Sequence, residues 1–238
     1  MNLQNKTAII TGASRGIGKA IAEKLAMAGA TVLLVARNSD ELNKVVEGIL
    51  EKGGKAYAFT FNVSDEESVA QFMAEAEKTH THIDILVNNA GIGQFDPVAE
   101  TEGSFWDEVM EVNVKGTFLF CKYVIKIMQQ QGGGHIVNIA SDVAKRTFEN
   151  GALYCASKHV QDAFSSALRK EVRKDHIKVS VIYPGLVDTY FNGSSPGEAQ
   201  NATHLHPEDI ANAVNYVVSA PSNVVIDELM IHPISQEY

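Results

Sequence analysis

The sequence is poor in the features that mark several classes of protein. Its 238 residues include two cysteines, Cys121 and Cys155, with no Cys-x-x-Cys spacing. That argues against a disulfide framework and fits a reducing compartment, so a cytoplasmic location is expected. Cys155, beside Tyr154, reads either as a redox-sensitive thiol or as buried helix filler, the commoner use of a free cysteine. No apolar run approaches the length that spans a bilayer. A strand pattern begins by Thr7, which leaves no room for a signal peptide. The glycosylation sequons starting at Asn5, Asn62, Asn192 and Asn201 are then chance matches. Positive charge is in deficit, with 20 Lys and Arg against 29 Asp and Glu, a net −9. Nucleic acids and anionic membranes require a cationic field, so neither is expected as a partner. The histidine pairs His80/His82 and His204/His206 have no third ligand nearby in sequence, so no metal site is expected.

What is present is a regular alternation. Strand patterns cover Thr7–Ile10, Thr31–Ala36, Lys55–Phe61, Ile83–Val87, His135–Ala140, Ile177–Tyr183 and Val224–Ile231. Between them lie helix patterns at Gly16–Ala28, Asp40–Lys52, Ser104–Gln130 and Ala152–Lys174. A further helix opens at the capping box Ser64–Glu67 and runs to about Thr79, and Pro207 starts the last one. Ser104–Gln130 reads as one helix roughly 40 Å long. Strands separated by helices predict an α/β protein with a parallel, doubly wound sheet in a single domain. The least patterned stretch, residues 189–206, follows the sixth strand's carboxyl end, where open α/β sheets bind ligands, and its position favours a substrate loop.

Two local patterns point to chemistry. Thr7–Val35 has the length of a nucleotide-binding βαβ unit, and its turn reads TGASRGIG, with Gly12, Gly16 and Gly18. Glycines let the backbone approach a pyrophosphate, and the helix behind it offers amides and a positive dipole end. The spacing is Gly-x-x-x-Gly-x-Gly, not the general Gly-x-Gly-x-x-Gly. The second pattern is Tyr154 and Lys158, four apart in a helix and therefore on one face. Alone, each is a pattern that chance or structure supplies.

In combination they are specific. TGASRGIG, NNAG at Asn88–Gly91, Asn113, Ser141, YCASK and Pro184-Gly185 occur in order, with a thirteen-residue step from Ser141 to Tyr154. Together they resemble the short-chain dehydrogenase/reductase family over essentially the whole chain. The resemblance implies a three-layer Rossmann fold with a seven-stranded parallel sheet, and hydride transfer between a nicotinamide cofactor and a carbonyl/alcohol pair. It implies that Tyr154 is the acid/base and that Ser141 holds the substrate oxygen. Lys158 and the oxidised nicotinamide would lower the tyrosine's pKa, and Lys158 would bond the ribose. Asn113 would distort its helix and hold a water linking Lys158 to solvent.

For the cofactor, the resemblance places Gly12, Ser14, Arg15, Gly16, Ile17 and Gly18 at the phosphates. Asn89, Ala90 and Gly91 lie alongside, with Pro184, Gly185, Val187 and Thr189 near the nicotinamide; Asn88 would tie neighbouring strands together. Asn62-Val63 replaces the family's usual Asp-Val at the adenine, where an Asn carbonyl still accepts. NAD-binding turns carry an acid at the end of the second strand. Here that place holds Ala36, followed by Arg37, and Asp40 is read as a capping or first-turn acid. Arg15 and Arg37, with Ser14 and Asn38, suit a 2′-phosphate, so NADP(H) is expected over NAD(H).

The substrate is less legible. A branch of the family reduces 3-oxoacyl groups on an acyl-carrier protein, but MQQQGGGH at Met128–His135 is a weak cationic patch, and Arg169 and Arg173 are what remains for such docking. The tail from Val224 to Tyr238 looks more like the short-tailed sepiapterin-reductase-like and 3-hydroxy-acid dehydrogenase members. Lys145 and Arg146, shortly after Ser141, either favour an anionic substrate or form a solvated loop. By resemblance the chain is a homodimer or homotetramer paired through Ser104–Gln130 and Ala152–Lys174, where Phe118, Phe120 and Phe164 offer apolar area or face the core. A cofactor-binding sensor or scaffold is the non-enzymatic alternative; such proteins usually lose a catalytic residue.

Overall fold

The computed structural model describes residues 2–237; Met1 and Tyr238, the last residue of the tail, lie outside them. Seven strands among the described residues form one sheet: β1 (Thr7–Thr11), β2 (Thr31–Ala36), β3 (Lys55–Thr60), β4 (Ile85–Asn88), β5 (Gly134–Ile139), β6 (Ile177–Pro184) and β7 (Glu228–Ile231). Their order is β3-β2-β1-β4-β5-β6-β7, and every pairing is parallel. The order reverses between β1 and β4, which opens a crevice at the carboxyl edge.

Both faces of the sheet are covered, which is why its strands read as continuous apolar runs. Successive side chains point to opposite faces. Ile10, Leu34, Val87 and Val137 pack against α1 (Gly16–Met27), α2 (Ser39–Glu51) and α7 (Pro207–Val218). Their neighbours Ile9, Leu33, Leu86 and Ile136 meet α3 (Glu66–Thr79), α5 (Gly116–Gln131) and α6 (Ala152–Val172). Each fully buried Leu or Ile contributes about 1.5–3 kcal/mol.

Among the boundaries that differ from the sequence expectation, four stand out. The α3 cap is Asp65, not Ser64: its carboxylate accepts from Glu67 N–H at 3.2 Å and Ser68 Oγ at 2.5 Å, while Ser64 N–H donates to Asn62 Oδ1. α2 is capped by Asn38, whose Oδ1 accepts from Glu41 N–H, leaving Asp40 in the first turn. β7 begins only at Glu228; in the segment before it, the Pro221 and Val224 carbonyls accept from Lys178 Nζ. The long helix is not uniform. It runs as α4 (Gly103–Val109), a π-helical stretch at Met110–Lys115, and α5. Asn113 lies in the widened turn, the distortion the family resemblance implied, and such turns gather at functional sites.

Candidate active site

A cleft of about 1310 Å³ opens along the carboxyl edge, lined from Gly12 through Arg37 and Tyr154 to His204. Gly12 sits at φ +65°, and a Cβ there would lie 2.8 Å from Ala90 Cα. A Cβ on Gly18 would strike the Gly12 carbonyl. The turn is therefore shaped by absent side chains, the cradle a pyrophosphate needs. Asn89 fixes it from the next strand: its Nδ2 donates to the Thr11 and Gly12 carbonyls at 3.0 and 3.2 Å. Asn88, one residue earlier, ties β4 to β5 through Asn138 at 2.8 Å.

Ser14, Arg15, Gly16 and Ile17 line the cleft beside this cradle, as do Ala36, Arg37 and Asn38. Arg15 stacks over the Tyr190 ring at 5.2 Å. Arg37 holds only an exposed contact to Glu108 at 3.4 Å, worth little in water. The end of β2 carries no carboxylate. Glu41 on the first turn of α2 is the acid that reaches the same cleft. Asn62 and Val63 line it too, although the Asn62 carbonyl already accepts from Ser64 N–H at 3.2 Å. Ala90, Gly91, Pro184, Gly185, Val187 and Thr189 form the inner wall. These residues fit a nicotinamide dinucleotide.

The proposed catalytic groups meet in the same cleft. Ser141 lies two residues beyond β5, with its Oγ 3.1 Å from Asp142 Oδ1 and 3.4 Å from the Pro184 carbonyl. Tyr154 reaches it from the first turn of α6, and the Lys158 ammonium stands 5.7 Å from the tyrosine ring centre. From the protein's own groups, burial raises the Tyr154 pKa well above the usual phenol, and the bond to Ser141 opposes this only in part. Burial pushes Lys158 down to about 7. The lowered tyrosine pKa expected from Lys158 is thus not a property of the chain alone.

Lys158 is tightly held. Its Nζ donates to the Ile139 carbonyl at 3.1 Å and to Gln161 Oε1 at 2.8 Å. Gln161 Nε2 in turn donates to the Asn113 carbonyl at 2.7 Å and to Thr117 Oγ1 at 2.9 Å. Gln161 thus ties Lys158 to the Asn113 carbonyl through buried hydrogen bonds. The Asn113 side chain pins Ile92 through both backbone groups, at 2.8 and 2.9 Å, and Ser157 at 3.0 Å.

Lys145 and Arg146 are both engaged. Lys145 Nζ bonds Asp162 at 2.9 Å and Glu228 at 3.3 Å. Arg146 Nε bonds Asp142 Oδ2 at 2.9 Å, and Gln236 Nε2 reaches the same oxygen at 2.8 Å. Sequence reasoning missed Asp142, Gln161 and three rings near Tyr154: Phe95, Phe148 and Phe191. Gln161 left a signal, being a polar residue on the buried stripe of α6. Phe191 lies in the stretch 189–206 expected to be a substrate loop, whereas Phe95 and Phe148, from two other loops, left no signal.

Residues 189–206 are a folded loop: Val187 pairs with Leu205, and Asn201 Nδ2 donates to Asp188 at 2.9 Å. Among the described residues no group of three His, Cys, Asp or Glu could hold a metal, and no helix is long and apolar enough to cross a membrane. Both cysteines are buried, and burial pushes Cys121 up to about 12. Phe120 faces the core, whereas Phe118 is exposed and meets Phe164 edge-on at 6.4 Å.

Comparison with known proteins agrees with this geometry. A family model described as short chain dehydrogenase matches residues 6–199. An uncharacterized oxidoreductase of Staphylococcus saprophyticus is 35% identical over 235 residues, covering 98% of this chain and 100% of the relative. Among solved structures, an alcohol dehydrogenase from the archaeon Thermococcus sibiricus, complexed with 5-hydroxy-NADP, superposes with a TM-score of 0.92 at 33% identity, covering 98% of each chain. A closed form of serine dehydrogenase complexed with NADP+ superposes at 0.90 with 29% identity, covering 98% of this chain and 96% of the other.

Proposed function

The chain belongs to the short-chain dehydrogenase family, and on that premise we propose that it is a cytoplasmic, NADP(H)-dependent carbonyl reductase acting on a small molecule. One observation carries the reading: Ser141, Tyr154 and Lys158 share one cleft with the Gly12–Gly18 cradle. When bound, the reduced nicotinamide supplies a hydride to the carbonyl carbon and leaves oxidised, while the carbonyl becomes an alcohol. Ser141 Oγ orients the oxygen, and Tyr154 gives it the hydroxyl proton. Lys158, held at two of its three N–H bonds, keeps the third for the ribose and the tyrosine. The presence of Asn113 with these three supports an enzyme over a sensor that has lost its chemistry.

The cofactor preference rests on Arg15 and Arg37 beside a second strand that ends without an acid, and the NADP ligands of the two solved relatives support it. The test is kcat/KM with NADPH and NADH on a panel of aldehydes and ketones. A preference for NADH overturns the assignment. A homodimer or homotetramer paired through α5 and α6 remains part of the proposal, supported by exposed Phe118 and Val160; light scattering on Phe118→Glu checks it.

A further inference from the structure

The substrate wall of the cleft differs in character from its cofactor wall. Phe95 and Phe148 meet edge-on, with ring centres 4.9 Å apart at 89°. Phe95 lies 5.6 Å from the Tyr154 ring and Phe191 lies 5.2 Å from it. Phe95 and Phe191 are themselves 6.2 Å apart. All three phenylalanines are only partly buried, in a cleft beside the acid/base. Gly93 makes the approach feasible, since a Cβ there would fall 2.6 Å from the Phe191 ring and 2.8 Å from Tyr154.

Charge on this wall is already spent. Arg146 is its cation, and its guanidinium is bound to Asp142, a carboxylate with 4% of its side chain exposed. Drawing Arg146 toward a substrate carboxylate would strip a buried acid of its cation. Lys145 is turned to Asp162 and Glu228. The other charges near these rings are Asp96, bonded to Gln94, and Glu198, bonded to Ser195 and Gln200, while Arg15 lies over the Tyr190 ring on the cofactor side.

We infer that the site takes uncharged carbonyl compounds whose substituent is an aromatic ring or a compact apolar group, seated among Phe95, Phe148 and Phe191, and that it rejects substrates carrying a carboxylate. This rests on the hydride-transfer reading and adds the substrate class. The rings offer apolar area and edge-to-face partners to a planar group. A carboxylate placed there finds acids and no free cation. Phe191 sits near the start of the loop 189–206, so that loop contributes one ring to the seat.

Four related probes test this: methyl pyruvate, pyruvate, methyl benzoylformate and benzoylformate, each with NADPH. Cofactor binding is measured separately by fluorescence. The expected order of kcat/KM puts methyl benzoylformate first, above methyl pyruvate by roughly 30-fold. Each free acid falls on the order of 100-fold below its ester. Phe95→Ala and the milder Phe95→Leu should lower kcat/KM for the phenyl ester by roughly tenfold more than for methyl pyruvate, and leave NADPH affinity unchanged. Acids reduced as well as their esters, or a Phe95→Leu effect equal on both esters, overturns the substrate class while leaving hydride transfer standing. NADPH that binds but is consumed with none of the four overturns hydride transfer, and the substrate class with it.

Discussion

The two walls of the cleft are built by different means. The cofactor wall is mostly backbone: a turn emptied of side chains at Gly12 and Gly18, clamped by Asn89. The substrate wall is all side chain: three rings from three loops, and a buried acid paired with Arg146 and hydrogen-bonded by Gln236. A backbone site tolerates little and binds what all such enzymes share. A side-chain site can be altered one residue at a time, which is how one fold serves many substrates.

The comparison breaks most sharply where the walls meet. Tyr154→Phe removes the proton donor and leaves the cradle intact, so turnover should fall by roughly a thousandfold or more with NADPH affinity unchanged. Single-turnover rates and fluorescence titration separate the two; near-normal turnover removes Tyr154 from its role. Next in size is Gly12→Ala. It forces a side chain into a left-handed backbone against Ala90, and NADPH affinity should weaken on the order of 100-fold in a protein that still melts cooperatively. Arg37→Ala touches the same wall through a side chain, and should reduce the kcat/KM ratio of NADPH over NADH by roughly tenfold.

Gln161→Leu sharpens the comparison with the smallest effect. It takes from Lys158 an acceptor that favours the ammonium. Burial already holds that lysine down to about 7, and losing the acceptor lowers it further. The charged form then disappears at a lower pH, so the pH–rate profile should shift toward acid and the rate at pH 8 fall severalfold. An unmoved profile with reduced thermal stability would make Gln161 a packing residue alone.

Much of the cofactor wall was legible because its information is local. The glycine turn and the step from Tyr154 to Lys158 each lie within a single turn or element. The π-helical turn at Asn113 was also anticipated, through the family resemblance. The α3 cap was misread by one residue because Ser64 and Asp65 are both good caps, and only the backbone decides which carries the bonds. Arg146 looked available for an anion because its partner Asp142 has no sequence signature. The Gln236 amide that shares this carboxylate lies 94 residues away.

By itself, then, the sequence determined the parallel sheet and the glycine-lined turn, through periodicity and glycine placement, while the family resemblance pointed to Tyr154 as the proton donor. Tertiary structure alone decided which charges are free, what holds Lys158 and what surrounds the substrate. Those depend on contacts between segments far apart in the chain, where burial makes each neighbour count and spacing carries no record of the meeting.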